Sequence, residues 1–147
     1  KGSGGSLANG DRGGTADATP VLMREGVGVV SDGVEVCVAD EGSCVLRTTG
    51  VAGQFSVWCT GADGAGQLGD GNMLSNPVAL LQPVLDGGSP IVDATHVACG
   101  SRGNSGHACV RRADGRVMCW GNDGSGQVGD GPPTGGNHVP PTEVVGY

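Results

Sequence analysis

Aromatic side chains are scarce in this 147-residue chain, which contains two tryptophans, one tyrosine and one phenylalanine. A large aromatic core is therefore excluded. The chain also lacks a long apolar run, and this absence excludes a membrane-spanning helix. Because so few large apolar side chains are available for burial, we expect covalent cross-links to support the fold.

Basic residues are also few, with eight Lys and Arg against fifteen Asp and Glu. The resulting net charge is −7 and the pI is about 4.6. Such a chain repels phosphate backbones instead of attracting them. We therefore expect neither a nucleic-acid partner nor insertion into a membrane.

Glycine, proline and cysteine are abundant, with 31, 8 and 6 residues. No Gly-X-Y period runs through the chain, so collagen is excluded. The six cysteines contain no Cys-x-x-Cys pair, which favours disulfides in an oxidising compartment over a zinc ribbon. We expect an extracellular or cell-surface location. Because the chain begins at Lys1 without a signal peptide, we expect a processed product or a piece of a longer precursor.

A repeat organises the chain. The sequence GADGAGQLGDG at residues 61–71 matches GNDGSGQVGDG at residues 121–131, at a spacing of 60 residues. Three cysteines precede each copy: Cys37, Cys44 and Cys59 the first, and Cys99, Cys109 and Cys119 the second. A weaker third copy of the loop lies near the start, at residues 5–10. The loop occurs three times and the cysteine block twice.

The segments within one repeat are short and β-like. Val34, Val36 and Val38 alternate with other residues, which is the period of a strand. The dipeptide Asp114-Gly115 favours a two-residue hairpin turn. Four short strands in 50–60 residues are typical of a propeller blade.

We therefore predict an all-β, disulfide-stapled fold of two four-stranded propeller-blade-like repeats plus an N-terminal partial repeat. The predicted boundaries are residues 1–30 for the partial repeat or extended arm, 31–90 for the first blade-like repeat and 91–147 for the second. Trp58 and Trp120 lie at nearly the same phase of the repeat, so we expect both to pack between the blades.

The second repeat resembles a known family. The sequences HACV at residues 107–110, VMCWGN at 117–122 and GQVGDG at 126–131 are similar to the repeat of the regulator of chromosome condensation family, especially its secreted bacterial members. The first repeat departs from this pattern, because it lacks the histidine before Cys44 and inverts the Cys-Trp order at Trp58-Cys59. The resemblance implies a seven-bladed propeller that binds proteins. The family includes a nucleotide-exchange factor for a small GTPase and a secreted β-lactamase inhibitor.

The hairpin and the repeat together predict disulfides. Cys109 and Cys119 lie on the two arms of one hairpin, where a non-hydrogen-bonded pair has the short Cα separation that a disulfide needs. By the repeat, Cys44 pairs with Cys59. Cys37 and Cys99 then remain, and they join each other, bond another chain or stay as buried thiols. We favour the first of these.

Several motifs suggest chemistry without meeting its requirements. Two stretches, 64–69 and 124–129, fit the dinucleotide fingerprint GxGxxG, but no helix follows either one, so we read them as turns and expect no cofactor. The acidic residues of the loops fit no calcium-loop spacing. The three histidines are too scattered for a helix-borne zinc site, and we expect the ring of His107 to satisfy backbone groups. The sequence thus predicts no metal and no catalytic site.

The expected function is that of a non-enzymatic extracellular protein-interaction module, because loops on a rigid scaffold are common binding sites. The alternative is a structural subunit that self-assembles into a ring or filament by adding strands or blades between chains. The partner in either case is a protein, copies of this chain included. The binding-loop candidates lie in the Gly-Asp loops and in the polar inserts 72–76 and 132–137: Asp70, Asn72, Asn76, Asp130 and Asn137.

Overall fold

The computed structural model describes residues 23–26, 28–101, 105–132 and 135–146. These residues form twelve strands and no helix, so none of them belongs to a helix that could cross a membrane. The strands are β1 (Arg24–Glu25), β2 (Gly28–Val29), β3 (Gly33–Ala39), β4 (Gly42–Thr48), β5 (Phe55–Asp63), β6 (Leu74–Pro83), β7 (Leu85–Asp86), β8 (Ser89–Pro90), β9 (Ala94–Gly100), β10 (His107–Arg112), β11 (Val117–Asn122) and β12 (Asn137–Glu143). The predicted all-β class is confirmed.

Two antiparallel four-stranded meanders make up most of the structure. Strands β3 to β6 pair in chain order to form blade 1, and β9 to β12 pair in the same way to form blade 2. A single residue pair, Phe55 with Ala94, connects β5 to β9. The two blades pack face to face, and they do not close into a propeller.

The main core lies between the blades. Residues opposite one another on neighbouring strands share a face. Leu46 and Val57 of blade 1 therefore point together at blade 2, where Val97, Val110 and Trp120 form the facing surface. All five side chains are buried. The core between the blades is thus built largely of aliphatic side chains around one indole.

The two tryptophans have different surroundings. Trp120 is fully buried between the blades, and its Nε1 donates a hydrogen bond to the carbonyl oxygen of Gln67 at 2.9 Å. Trp58 lies on the opposite face of blade 1, which we call the outer face, beneath the guanidinium of Arg47. The prediction that both pack between blades is correct for Trp120 and wrong for Trp58. Trp58 is opposite Val45, whereas the blade-facing residue of the same strand is Val57.

Three disulfides staple the sheets: Cys37–Cys99, Cys44–Cys59 and Cys109–Cys119. The last two each join opposite residues of one hairpin, with Cα atoms 4.1 Å apart. All six cysteines are thereby oxidised, which indicates an oxidising environment.

The first disulfide joins the two blades because of a difference in strand register. Cys37 is opposite Cys44 in blade 1, but Cys99 is opposite Ala108 in blade 2 and not opposite Cys109. A shift of one residue moves a side chain to the other face of a sheet. Cys37 and Cys99 consequently point at each other across the blade interface.

A two-stranded hairpin precedes each blade and carries a repeated ion-pair cluster. Strands β1 and β2 form the first hairpin, and β7 and β8 form the second. In each cluster an arginine of the blade bonds one carboxylate of the hairpin and one that follows it: Arg47 with Glu25 and Asp32, and Arg112 with Asp86 and Asp93. Burial lowers the pKa of Arg112, but the hydrogen bonds to the two carboxylates outweigh it and hold that pKa above its usual value.

The hairpin of blade 2 differs from its prediction. The N–H of Arg112 donates to the carbonyl oxygen of Arg116, so the turn encloses the three residues 113–115 and not only Asp114 and Gly115. Gly115, the last of these three residues, has a positive φ of +93°. A two-residue turn is therefore wrong here, although the Asp-Gly pair does mark the turn.

Candidate functional site

The two Gly-Asp loops share one hydrogen-bond pattern. An aspartate at the start of each loop accepts the N–H of a buried apolar residue five positions later: Asp63 Oδ1 from Leu68 at 3.1 Å, and Asp123 Oδ1 from Val128 at 2.8 Å. The glutamine that precedes this apolar residue bonds the backbone within its own loop. The repeated motif is thus a turn stabilised by hydrogen bonds between its own side chains and backbone. The GxGxxG pattern here serves backbone geometry, as the sequence predicts.

Glycine is required where each loop leaves its strand. Gly61 and Gly121 have φ values of +116° and +99°. A Cβ at Gly121 would lie 2.6 Å from the carbonyl oxygen of Gly106, and one at Gly61 would overlap the backbone of Glu41. These glycines let the loop strand approach its neighbour closely.

Both loops lie at the same end of the blades and form one rim. The carbonyl of Gln67 in the first loop bonds Trp120 of blade 2. Asn137 Nδ2 lies 3.9 Å from the sulfur of Met73, just beyond the first loop. The first loop and its flanking residues therefore contact blade 2, and Asn137 is the predicted binding residue that takes part in this contact.

The predicted binding-loop residues occupy different settings on this rim. Asp70 Oδ1 accepts the N–H of Asn72 at 3.0 Å, which fixes an exposed turn. Asn76 lies within β6 and Asn137 begins β12, so the polar inserts are shorter than the sequence suggests. Asn137 Oδ1 accepts a hydrogen bond from Asn122 at 3.3 Å.

Asp130 belongs to an acid–histidine cluster with Asp123 and His138. His138 Nε2 lies 3.2 Å from Asp130 Oδ2 and 3.6 Å from Asp123 Oδ2. The Asp123 side chain is only 1% exposed. Neither Asp123 Oδ2 nor His138 Nε2 makes a hydrogen bond to any described residue. The sequence pattern does not connect these residues, since His138 lies fifteen positions after Asp123, on the next strand.

The equivalent aspartate of the first loop is fully bonded. Asp63 Oδ2 accepts the N–H of Leu74 at 3.0 Å, in addition to the bond from Leu68 to Oδ1. Burial raises the pKa of the Asp63 carboxyl, and the two backbone hydrogen bonds oppose that rise. The two loops therefore differ at one carboxylate oxygen.

His107 lines a small cavity between the blades. The cavity has a volume of about 30 Å³, which leaves room for one or two water molecules, and Gly42 and Cys99 also line it. The ring Nδ1 bonds no group in the described ranges, so the prediction that the ring satisfies backbone groups is wrong for this atom. Burial lowers the pKa of His107, although the charge of Asp123 acts in the opposite direction.

The outer face of blade 1 carries an exposed apolar row. Val34, Val36 and Val38 of β3 are 51%, 56% and 69% exposed. Deeper in the same face, Val45 is covered by Met23 and Val30. The corresponding face of blade 2, which includes Val97 and Cys99 of its first strand, is the one that packs on blade 1.

The outer face of blade 2 is more polar. Residues that share this face with the Cys109–Cys119 disulfide include His96 and Arg111, which are exposed. The two outer faces of the pair are thus different in chemistry.

The two face-packed, four-stranded meanders, with matching loops 60 residues apart, form a pair of propeller-blade-like repeats. Residues 94–127 match the family model of the Regulator of chromosome condensation (RCC1) repeat. The match begins at the first strand of blade 2 and ends within its Gly-Asp loop. No curated protein matches the chain. The predicted resemblance is confirmed at the level of this repeat.

Proposed function

We propose that this chain is a non-enzymatic, secreted protein-interaction module that binds a partner protein through the outer face of blade 1. One observation carries the proposal. The row of Val34, Val36 and Val38 is more than half exposed, whereas the corresponding surface of blade 2 is buried against blade 1. In the part of the chain that the structure describes, no second blade packs on this face, whereas stacked repeats normally cover such a face with a neighbouring repeat.

The chemistry of this face indicates its partner. On blade 2, the same face receives aliphatic side chains such as Leu46 and Val57 from the adjoining sheet. We therefore expect the partner to present an apolar β-sheet face of the propeller-blade type. The exposed Asn72 of the rim lies at one end of the same blade and is proposed as a second contact.

A second copy of this chain fits the face less well. Head-to-tail stacking would place the outer face of blade 2 on the valine row, and that face exposes His96 and Arg111. Burying a charged guanidinium against valines without a partner is costly. The cost of burying Arg111 favours a different protein as the partner over a ring or filament of this chain.

The disulfides support the rest of the proposal. Three of them in a small domain suit secretion, and we extend this to the secreted bacterial type of the repeat family. Because every cysteine is oxidised, none is available as a nucleophile. The proposed role is therefore binding and not catalysis.

The test is a triple substitution, Val34→Thr, Val36→Thr and Val38→Thr, which keeps β-branched side chains in the strand. The immobilised wild-type chain is first used to capture candidate partners from the culture medium of its source. The affinity of each purified candidate for the wild type and for the triple variant is then measured by calorimetry. Covering the exposed part of a valine contributes about 1 kcal/mol, so three such losses weaken binding by roughly a hundredfold.

Val51→Thr combined with Val92→Thr is the matched control, because both valines are more than half exposed and lie outside the row. The control should bind as the wild type does. Unchanged affinity in the triple variant would refute this surface. Concentration-dependent dimers that the triple variant abolishes, seen by sedimentation, would favour self-assembly instead.

A further inference from the structure

We propose that Asp123, Asp130 and His138 bind one transition-metal ion of the zinc type. The site lies on the rim of blade 2, between its Gly-Asp loop and the start of β12, and it is separate from the valine row. It offers one imidazole nitrogen and two carboxylate oxygens, and these atoms all lie within 4.8 Å of one another. No function assigned above uses this cluster.

The spacing of the three groups suits a tetrahedral ion. Zinc bonds of 2.0–2.1 Å place neighbouring ligand atoms about 3.3 Å apart. His138 Nε2 is 3.2 Å from Asp130 Oδ2 and 3.6 Å from Asp123 Oδ2. The third pair, the two carboxylate oxygens, lies within 4.8 Å, and rotation of the partly exposed carboxylate of Asp130 would close this edge. The fourth position stays open to water or to a partner's side chain.

Two buried atoms of the cluster lie near each other without a hydrogen bond. Asp123 Oδ2 and His138 Nε2 are inaccessible to solvent, and neither forms a hydrogen bond within the described ranges. A buried polar atom without a partner is costly, and native structures supply one in most cases. A cation between the two atoms would satisfy both. The N–H of Val128 holds Asp123 Oδ1 at 2.8 Å and so aims the other oxygen at His138.

Blade 1 shows that the loop fold does not itself require this cluster. There, Asp63 Oδ2 already accepts the N–H of Leu74. Strand pairing places His138 opposite Gly121, and the residue opposite Gly61 is Val78. The first loop thus forms the same turn with a valine where blade 2 has its histidine. The imidazole and the unpaired oxygen are particular to the second repeat.

The ligand types favour zinc over calcium. Imidazole suits zinc and related transition metals, whereas calcium prefers six to eight oxygen ligands. The cluster supplies only two carboxylates, one of them with an oxygen already bonded to backbone. Calcium therefore has too few ligands here.

Calorimetric titration of ZnCl₂ into the full-length, oxidised chain, after treatment with a chelator, tests the site. We expect one ion per chain and a rise in the unfolding temperature when zinc is present. His138→Val, which installs the residue of blade 1, should weaken binding at least tenfold, and Asp130→Asn should do the same. Asp70→Asn, the equivalent change in the first loop, should leave zinc affinity unchanged. CaCl₂ should give no saturable signal.

Three results would overturn the proposal: no saturable zinc binding by the wild-type chain, binding that persists in His138→Val, or sulfur ligands in the X-ray absorption spectrum of the zinc-loaded protein. Circular dichroism and disulfide mapping check that each variant is folded. If His138→Val does not fold, Asp130→Asn at the partly exposed Asp130 decides the matter, because zinc affinity equal to that of the wild type in this variant also refutes the site.

Discussion

The disulfide between the blades should contribute more to stability than either disulfide within a hairpin. Cys37 and Cys99 are separated by 62 residues, whereas Cys109 and Cys119 are separated by ten. A cross-link stabilises a protein mainly by reducing the conformational freedom of its unfolded chain, and that effect grows with the size of the closed loop.

The two loop lengths give different magnitudes. The chain-entropy relation gives about 4.3 kcal/mol for the loop closed by Cys37 and Cys99, and about 2.7 kcal/mol for the one closed by Cys109 and Cys119. For a domain of this size, the larger loss lowers the melting temperature by roughly 9–17 °C. Cys37→Ala with Cys99→Ala should therefore be less stable than Cys109→Ala with Cys119→Ala by about 1.6 kcal/mol.

Urea unfolding followed by far-ultraviolet circular dichroism measures the loss in the free energy of unfolding for each double variant relative to the wild type. Mass spectrometry under non-reducing conditions serves as the control, since each double variant must keep its two remaining disulfides. Equal or reversed destabilisation in the two variants would refute the loop-length reasoning. It would mean that the bond between the blades contributes no more to stability than a bond within one hairpin.

Two further predictions concern single side chains. His107→Gln should flatten the pH dependence of the free energy of unfolding. Burial lowers the pKa of His107 in the folded protein, so the unfolded chain binds more protons than the folded one below about pH 6.5. The wild-type protein therefore loses stability as the pH falls below this value. Urea midpoints at pH 7, 6 and 5 measure this effect. Trp120→Ala should cost about 3–5 kcal/mol, because a fully buried indole and its bond to Gln67 are lost, and urea unfolding at pH 7 measures that loss.

Each of these predictions has an internal control. For the pH series, the control is His96→Gln, the same substitution at an exposed histidine. Identical slopes in wild type and His107→Gln would contradict the assigned burial effect. For the indole, Trp58→Ala should be milder, since Trp58 is only partly buried on the outer face. If Trp58→Ala proves as destabilising as Trp120→Ala, the core between the blades does not contribute more to stability than the outer face does.

Much of the fold could be predicted because the chain repeats itself. The matching loops at residues 61–71 and 121–131 indicate two equivalent units, and alternation in segments such as 34–38 indicates strands. The positions of the cysteines within each unit then predict the disulfides of the hairpins. These inferences depend on local patterns, which sequence shows directly.

Features that depend on how the sheets meet could not be predicted in this way. Trp58 and Trp120 both lie on the sheet face opposite their hairpin disulfide, but that face packs between the blades in blade 2 and is the outer face in blade 1. The partners of Arg47 and Arg112 lie 15 to 26 residues before them. The sequence does show that Glu25 and Asp32 recur 61 positions later as Asp86 and Asp93, which could have indicated a repeated ion-pair cluster. His138 and Asp123 meet only because β12 returns beside β11.

The cross-link between Cys37 and Cys99 also has a mechanical consequence. When the two ends of the chain are pulled apart, force passes through this covalent bond and bypasses the 62-residue stretch that it closes. At about 3.4 Å per extended residue, roughly 210 Å of contour length stays hidden from tension. Strands β4 to β8 lie inside this stretch and would carry no tension until chemical reduction releases the hidden length.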